Sequence, residues 1–93
     1  MVYLDPMVDH AKRIGRAGPW WCHMIADTLD ELHAFAECLG FRRAWFQSGS
    51  IPHYDVGTTG KRELAIKLGA IECDRHVFVA HVQRLRAAGW PEK

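Results

Sequence analysis

The feature that most constrains the fold is an apolar run followed directly by a capped helix. Residues 20–26 (WWCHMIA) are apolar at odd and even positions alike, as in a strand covered on both faces. The next residues, TLDE at 28–31, form a capping box in which the Thr28 hydroxyl can accept from the Glu31 amide. Apolar side chains then recur at helical spacing up to Gly40, a residue suited to ending a helix. A buried strand followed by a helix is therefore predicted.

The remaining elements extend this unit into a small α/β fold. Residues 2–4 predict a first strand and residues 70–73 a third, while residues 59–68 predict a second helix. Asp74 can cap a final helix whose buried face carries Phe78, Val82 and Leu85. Residues 41–56 predict an irregular segment with a helical turn at 43–46. Helical crossovers favour parallel pairing, so we expect a small three-stranded, mainly parallel sheet packed with three helices.

Length, charge and cysteine content restrict the class of protein. Ninety-three residues suffice for one α/β domain spanning 1–93. Twelve Lys and Arg against eleven Asp and Glu leave a net charge of +1, so neither nucleic acid nor an anionic membrane is an expected partner. Three widely spaced cysteines fit neither a disulfide framework nor a thiolate zinc site, and no export signal or membrane span is evident. A cytoplasmic location is expected.

Each predicted strand is followed by an aspartate. These residues are Asp5, Asp27 and Asp74. Ligands of open α/β sheets bind outside the carboxyl ends of parallel strands, where the three carboxylates would meet. Asp74 is better explained as a helix cap. Asp5 and Asp27 are therefore the candidate ligands of a divalent metal ion.

Two histidines stand close to aspartates in the sequence. His23 and Asp27 are four residues apart, which places both on one face of a strand, and His53 and Asp55 would share a face if that segment is extended. Such groups can bind a divalent metal, or act as base and orienting acid. Alternatively, His23 is a core histidine and His53 a loop residue bonded to Asp55. The candidate catalytic residues are His23, His53 and Asp55.

Two basic segments are candidate anion sites. In the first, residues 9–18, His10, Lys12, Arg13 and Arg16 could clamp a phosphate or simply form a solvated loop. The second, GTTGKR at 57–62, has the wrong glycine spacing for a P-loop and leaves only a weak anion site at the start of the second helix.

The chain also resembles a known family over almost its whole length. The segments VYLD, WCHMIADTLDELHAFAECLG, WFQ, PHYDV and KRELAIKLGAIE are similar to the small bacterial and phage proteins grouped as domain of unknown function 4031. Positions matching that pattern are Asp5, Arg16, His23, Asp27, His33, Trp45, Gln47, His53, Tyr54 and Asp55. Pro6 departs from it, since an acidic or polar residue is more usual there. The resemblance implies no activity, but it favours a shared site and adds Trp45, Gln47 and Tyr54 to Arg13 and Arg16 as candidate ligand-binding residues.

Two functional hypotheses follow. In the first, the protein binds a small phosphate-bearing, nucleotide-like ligand, and metal-assisted or histidine-catalysed phosphoester hydrolysis fits its groups. In the second, it is a non-catalytic interaction protein that forms a homo-oligomer or partner surface through Trp20, Trp21, Trp45 and Trp90.

Overall fold

The computed structural model describes residues 1–9, 20–49 and 51–90. Within them five short strands form a mixed sheet: β1 (Val2–Leu4), β2 (Val8–Asp9), β3 (Trp20–Ala26), β4 (Tyr54–Val56) and β5 (Ile71–Glu72). Three helices pack on this sheet: α1 (Leu29–Cys38), α2 (Thr59–Lys67) and α3 (Arg75–Ala87). A 3-10 turn, Arg43–Trp45, lies within the segment expected to be irregular.

The strand β3 organises the sheet, and its pairing is antiparallel throughout. Met24 of β3 pairs with Leu4 of β1 and with Tyr54 of β4, so these strands flank β3 on opposite sides. The one parallel pair among the described strands joins β1 to β5. The α/β class is confirmed, but the prediction of three mainly parallel strands is wrong. The expected parallel pair joined the strand at residues 20–26 to the strand at residues 70–73 through a helical crossover. Instead, β5 pairs with β1, which runs antiparallel to β3, and the prediction did not recognise β2 or β4.

The pairing of β3 shifts by one residue between β1 and β2. Leu4 pairs with Met24, and Val8 pairs with Trp21. Four steps along the first segment (4 to 8) therefore match three along β3 (24 to 21), as in a β-bulge. The extra residue lies in the segment that begins with Asp5 and Pro6.

Alternation along β3 divides the apolar core between the two faces of the sheet. Cys22, Met24 and Ala26 are buried on the face covered by α1 and α2. Ile25 points the other way and is buried against α3. The α3 side of this second core is formed by Phe78, Val82, Leu85 and Trp90.

All three helices begin at a side-chain cap, of which Thr28 and Asp74 were predicted and Thr58 was not. Thr28, Thr58 and Asp74 each accept a hydrogen bond from the backbone amide three residues later. Gly40 takes a φ of +80°, in the left-handed region, as predicted for a helix end. Glu31 does not complete the capping box, because its carboxylate accepts from the Met1 amino group at 2.5 Å.

Antiparallel pairing separates two of the aspartates that were expected to meet. Asp5 follows the end of β1, whereas Asp27 follows β3, which runs in the opposite direction. Asp27 accepts from the Tyr3 hydroxyl at 3.0 Å and from Met1 and Arg84 at 3.2 and 3.4 Å. It therefore lies at the opposite end of the sheet from Asp5, as part of a polar clasp between β1 and α3.

Candidate metal-binding site

A cluster of histidine and carboxylate side chains forms on the α3-facing side of the sheet. His23 lies in the middle of β3 and pairs directly with Asp55 of β4. His53 precedes β4 and forms an isolated antiparallel bridge with Gln47. Residues 53 and 55 share one face because side chains alternate along extended backbone. Sheet register, and not a loop, brings these residues together.

Three side chains of this cluster could hold one ion. One ligand atom each from His23, His53 and Asp55 lies within 4.8 Å of the other two, and all three residues are half-buried. In tetrahedral zinc sites, neighbouring ligand atoms are roughly 3.3 Å apart, given metal–nitrogen distances of about 2.0–2.1 Å. A modest inward movement of side chains would therefore complete such a site.

Asp5 fixes the orientation of His23 through two hydrogen bonds. Its Oδ1 accepts from the His23 backbone amide at 2.6 Å, and its Oδ2 lies 2.8 Å from His23 Nδ1. Because a carboxylate only accepts hydrogen bonds, Nδ1 carries the proton. In the neutral imidazole with this tautomer, Nε2 has the lone pair that a metal ligand requires.

His53 is held in a comparable way. Its Nδ1 donates to the Ile51 carbonyl at 2.7 Å, and its Nε2 lies 3.3 Å from Asp55 Oδ1. The hydrogen bond to Asp55 raises the pKa of His53 despite the opposing effect of burial, and the Ile51 carbonyl raises it further. In the absence of a metal, a proton on Nε2 can therefore bridge His53 and Asp55.

Asp55 is the carboxylate of the cluster. Burial raises its pKa, but the hydrogen bonds from His53 and Gln47 outweigh burial, and the net pKa is lowered. The Gln47 amide donates to Oδ2 at 2.6 Å. This bond occupies one oxygen and leaves Oδ1 directed toward His53.

The cluster opens into a groove of about 600 Å³ between the sheet and α3. One wall is apolar and includes Trp21, Ile51, Phe78, Val79 and Val82. Its polar and charged lining comprises Asp5, His23, His53, Arg75, Gln83 and Arg86. This size and composition are typical of a small-molecule site.

Several sequence-predicted residues lie away from this groove. Tyr54 is 1% exposed on the opposite face of the sheet, where its hydroxyl lies 2.8 Å from His33 Nδ1. Trp45 is exposed and tilts against Phe41. Asp27 belongs to the clasp at the far end of the sheet. Among the predicted ligand-binding residues that the structure describes, Gln47 alone reaches the cluster, through Asp55.

Of the two basic segments predicted as anion sites, the structure describes only the second. His10, Lys12, Arg13 and Arg16 lie outside the described residues. In the second segment, Lys61 Nζ donates to the Leu39 carbonyl at 2.7 Å. Arg62 donates to Glu72 and to the Asp5 carbonyl, both at 3.0 Å. These hydrogen bonds connect α2 to the residue after α1 and to β5. Arg62 also holds the backbone of Asp5 in place.

Sequence reasoning missed the contribution of α3. Arg75, Val79, Val82 and Arg86 all line the groove, yet only the buried face of this helix was recognised. Their spacing of four, three and four residues places them along one side of a helix, and this signal was available in the sequence. The Ile51 carbonyl could not have been found, because a backbone contact leaves no residue-type signal.

The fold and the cluster define a small α/β protein with a histidine–carboxylate site on the side of its sheet that faces α3. A family model described as a protein of unknown function (DUF4031) matches residues 2–87 of the 93-residue chain. The chain therefore belongs to this family, which confirms the predicted resemblance. The comparisons with curated proteins and with solved structures gave no match. Among the described residues, no helix has the length and apolar character needed to cross a membrane.

Proposed function

We propose that the protein binds a divalent metal ion through His23, His53 and Asp55 and uses it to hydrolyse a small phosphate-bearing, nucleotide-like ligand. The observation that carries this proposal is the orientation of the two imidazoles. Both imidazoles direct Nδ1 at an oxygen, which leaves Nε2 as the ring nitrogen that would ligate a metal. Histidines that ligate metals are held by such outer hydrogen bonds, which fix the tautomer.

The donor set favours a first-row transition ion. Two imidazoles and one carboxylate suit zinc, manganese, cobalt, nickel or ferrous iron, whereas magnesium and calcium prefer oxygen ligands. Three protein ligands leave at least one coordination position for water or substrate, the arrangement of catalytic rather than structural sites.

The reaction requires few other groups. His23, His53 and Asp55 would hold the ion, which would supply Lewis-acid activation of water near neutral pH. In hydrolysis of a phosphomonoester, a bond forms between the water oxygen and phosphorus, and the bond from phosphorus to the ester oxygen breaks. One water proton goes to solvent, and the ester oxygen leaves as an alcohol with a proton from solvent. Asp5 and Gln47 position His23 and Asp55 during this exchange.

Calorimetric titration of the metal-free protein with zinc tests the metal site. We expect one ion per chain, loss of binding in His53→Ala, and a 10–100-fold weaker affinity in Asp5→Asn. Asparagine retains an oxygen for the His23 amide, so Asp5→Asn separates orientation of the imidazole from folding. Glu63→Gln removes an exposed carboxylate on α2 and is the matched control, expected to bind as the wild type does. Wild-type affinity in Asp5→Asn would contradict the proposal.

A second function is supported by exposed aromatic surface. Trp20 and Trp45 are each 52% exposed, whereas Trp90 is only 6% exposed and Trp21 lines the groove. Of the four tryptophans predicted to form an interaction surface, Trp20 and Trp45 therefore remain as candidates. A dimeric mass in solution, together with no change in melting temperature on adding any divalent ion or nucleotide, would favour this function over metal binding.

A further inference from the structure

Two arginines of α3 line the groove on either side of its apolar wall. Arg75 lies in the first turn and Arg86 in the last, eleven residues apart (75 to 86), and both line the groove. Eleven residues make just over three turns, so both project from the same side of the helix, about 16 Å apart along its axis. They can therefore contact different parts of one ligand.

Neither guanidinium has a partner within the described part of the chain. No carboxylate there pairs with Arg75 or Arg86, whereas Arg62 and Arg84 are held by Glu72 and Asp27. Unpaired arginines in a groove favour anionic groups such as phosphate, because the planar guanidinium can donate two hydrogen bonds to a pair of phosphate oxygens.

Arg75 is the first residue of α3, and the start of this helix lies beside the end of β1. Arg75 lies two residues after Cys73, whose amide donates to the Leu4 carbonyl at 2.8 Å. This contact places the start of α3 beside Asp5, the residue that orients His23. Arg86 lies three turns further along, past Val79 and Val82.

The wall between the arginines suits a flat apolar group. Trp21 and Phe78 contribute aromatic rings, and Ile51, Val79 and Val82 complete the surface. Aromatic and aliphatic side chains of this kind bind planar rings such as nucleobases.

We propose that the groove binds a nucleoside bisphosphate, with one phosphate at the metal cluster and Arg75, the second at Arg86, and the base on the apolar wall. This inference rests on the proposed metal centre for the first phosphate. The same chemistry could come from a free nucleotide or from the 5′ end of a short oligonucleotide.

Binding of adenosine 3′,5′-bisphosphate and adenosine 5′-monophosphate, each measured with and without zinc, tests this assignment. We expect the bisphosphate to bind about tenfold or more tightly than the monophosphate, since a charge-assisted contact is added. Arg86→Ala should abolish that difference and leave monophosphate affinity unchanged. Arg75→Ala should weaken both ligands, and Arg86→Lys should retain part of the difference.

The control and the remaining ligand distinguish the outcomes. Arg43→Ala removes an exposed arginine that does not line the groove and should change neither affinity. Tighter binding of a 5′-phosphorylated dinucleotide than of the bisphosphate would identify an oligonucleotide end as the source of the two phosphates. Equal wild-type affinity for mono- and bisphosphate, or an unchanged preference in Arg86→Ala, would overturn the assignment. Failure to bind zinc, with the bisphosphate preference intact, would contradict the metal centre alone.

Discussion

At the scale of single residues, a proton and the proposed metal ion would compete for the same atom of His53. In the metal-free protein Nε2 faces Asp55, and this contact raises the pKa of His53. A group with a raised folded-state pKa contributes stability that is present in full below its unfolded pKa of about 6.5 and is lost as the pH rises through the folded value. Binding a metal at Nε2 reverses this preference, because the ligand must be neutral.

This competition predicts that zinc affinity depends on pH. Below the folded pKa of His53, the apparent affinity should fall about tenfold for each pH unit, because one proton is displaced per ion. Above that pKa the affinity should level off. Calorimetry at pH 6.5 in two buffers of different ionisation enthalpy measures the number of protons released. A binding heat that does not depend on the buffer would show that His53 is not displaced from its proton and is not a ligand.

At the scale of elements, α2 and the turn after it contain two glycines that differ only in backbone conformation. A Cβ added at Gly60 or at Gly69 would meet no atom within 4 Å. Gly60 lies within α2, whereas Gly69 follows it with a φ of +112°. Because neither added Cβ would meet another atom, a difference in stability between the two alanine variants would reflect the backbone conformation at each position.

We expect opposite effects from alanine at these two positions. Gly60→Ala should stabilise the protein by about 0.5–1 kcal/mol, since alanine is the better helix former. Gly69→Ala should destabilise it by roughly 1–2 kcal/mol, because a side chain is strained at positive φ. Urea unfolding of both variants gives the two free energies. A destabilised Gly60→Ala would show that residue 60 does not lie within a regular helix.

Secondary structure was predicted from local sequence more completely than strand pairing. The caps at Thr28, Thr58 and Asp74 act within four residues, so their signals are contained in the sequence. The direction of β1 relative to β3 depends on contacts between residues that are twenty or more positions apart. Because β1 and β3 were expected to be parallel, Asp27 was predicted to lie at the same end of the sheet as Asp5, whereas it lies at the opposite end. His53 and Asp55 depend only on strand alternation, and the structure brings them together as the sequence predicted.

At the scale of the whole molecule, the sheet separates two apolar cores of unequal construction. The core facing α1 and α2 draws on two helices, while the other depends on α3 and on Trp90, which follows it. The Trp90 amide donates to the Leu85 carbonyl at 2.9 Å, so the chain turns back and buries the indole. A single side chain after the last helix therefore closes the second core.

Tryptophan substitutions should reveal this difference in burial. Trp90→Ala is expected to lower the free energy of unfolding by about 3–5 kcal/mol, the range for truncating a buried aromatic side chain. Trp45→Ala, at an exposed position beside Phe41, should cost about 1 kcal/mol or less. Chemical denaturation followed by far-UV circular dichroism measures both. Similar losses in the two variants would mean that Trp90 does not close the core.

The shifted pairing between β1 and β2 connects the length of the chain to its chemistry. A chain one residue shorter between Leu4 and Val8 could pair with β3 without interruption and form a more regular sheet. In such a sheet a backbone carbonyl would accept from the His23 amide, so the Asp5 carboxylate would no longer accept from both the amide and the ring of His23. At this point of the chain, a more regular sheet would therefore be obtained at the expense of the hydrogen bonds that orient His23. A deletion that stops the Asp5 carboxylate from accepting both hydrogen bonds from His23 is therefore expected to weaken metal binding, even in a variant that folds more stably than the wild type.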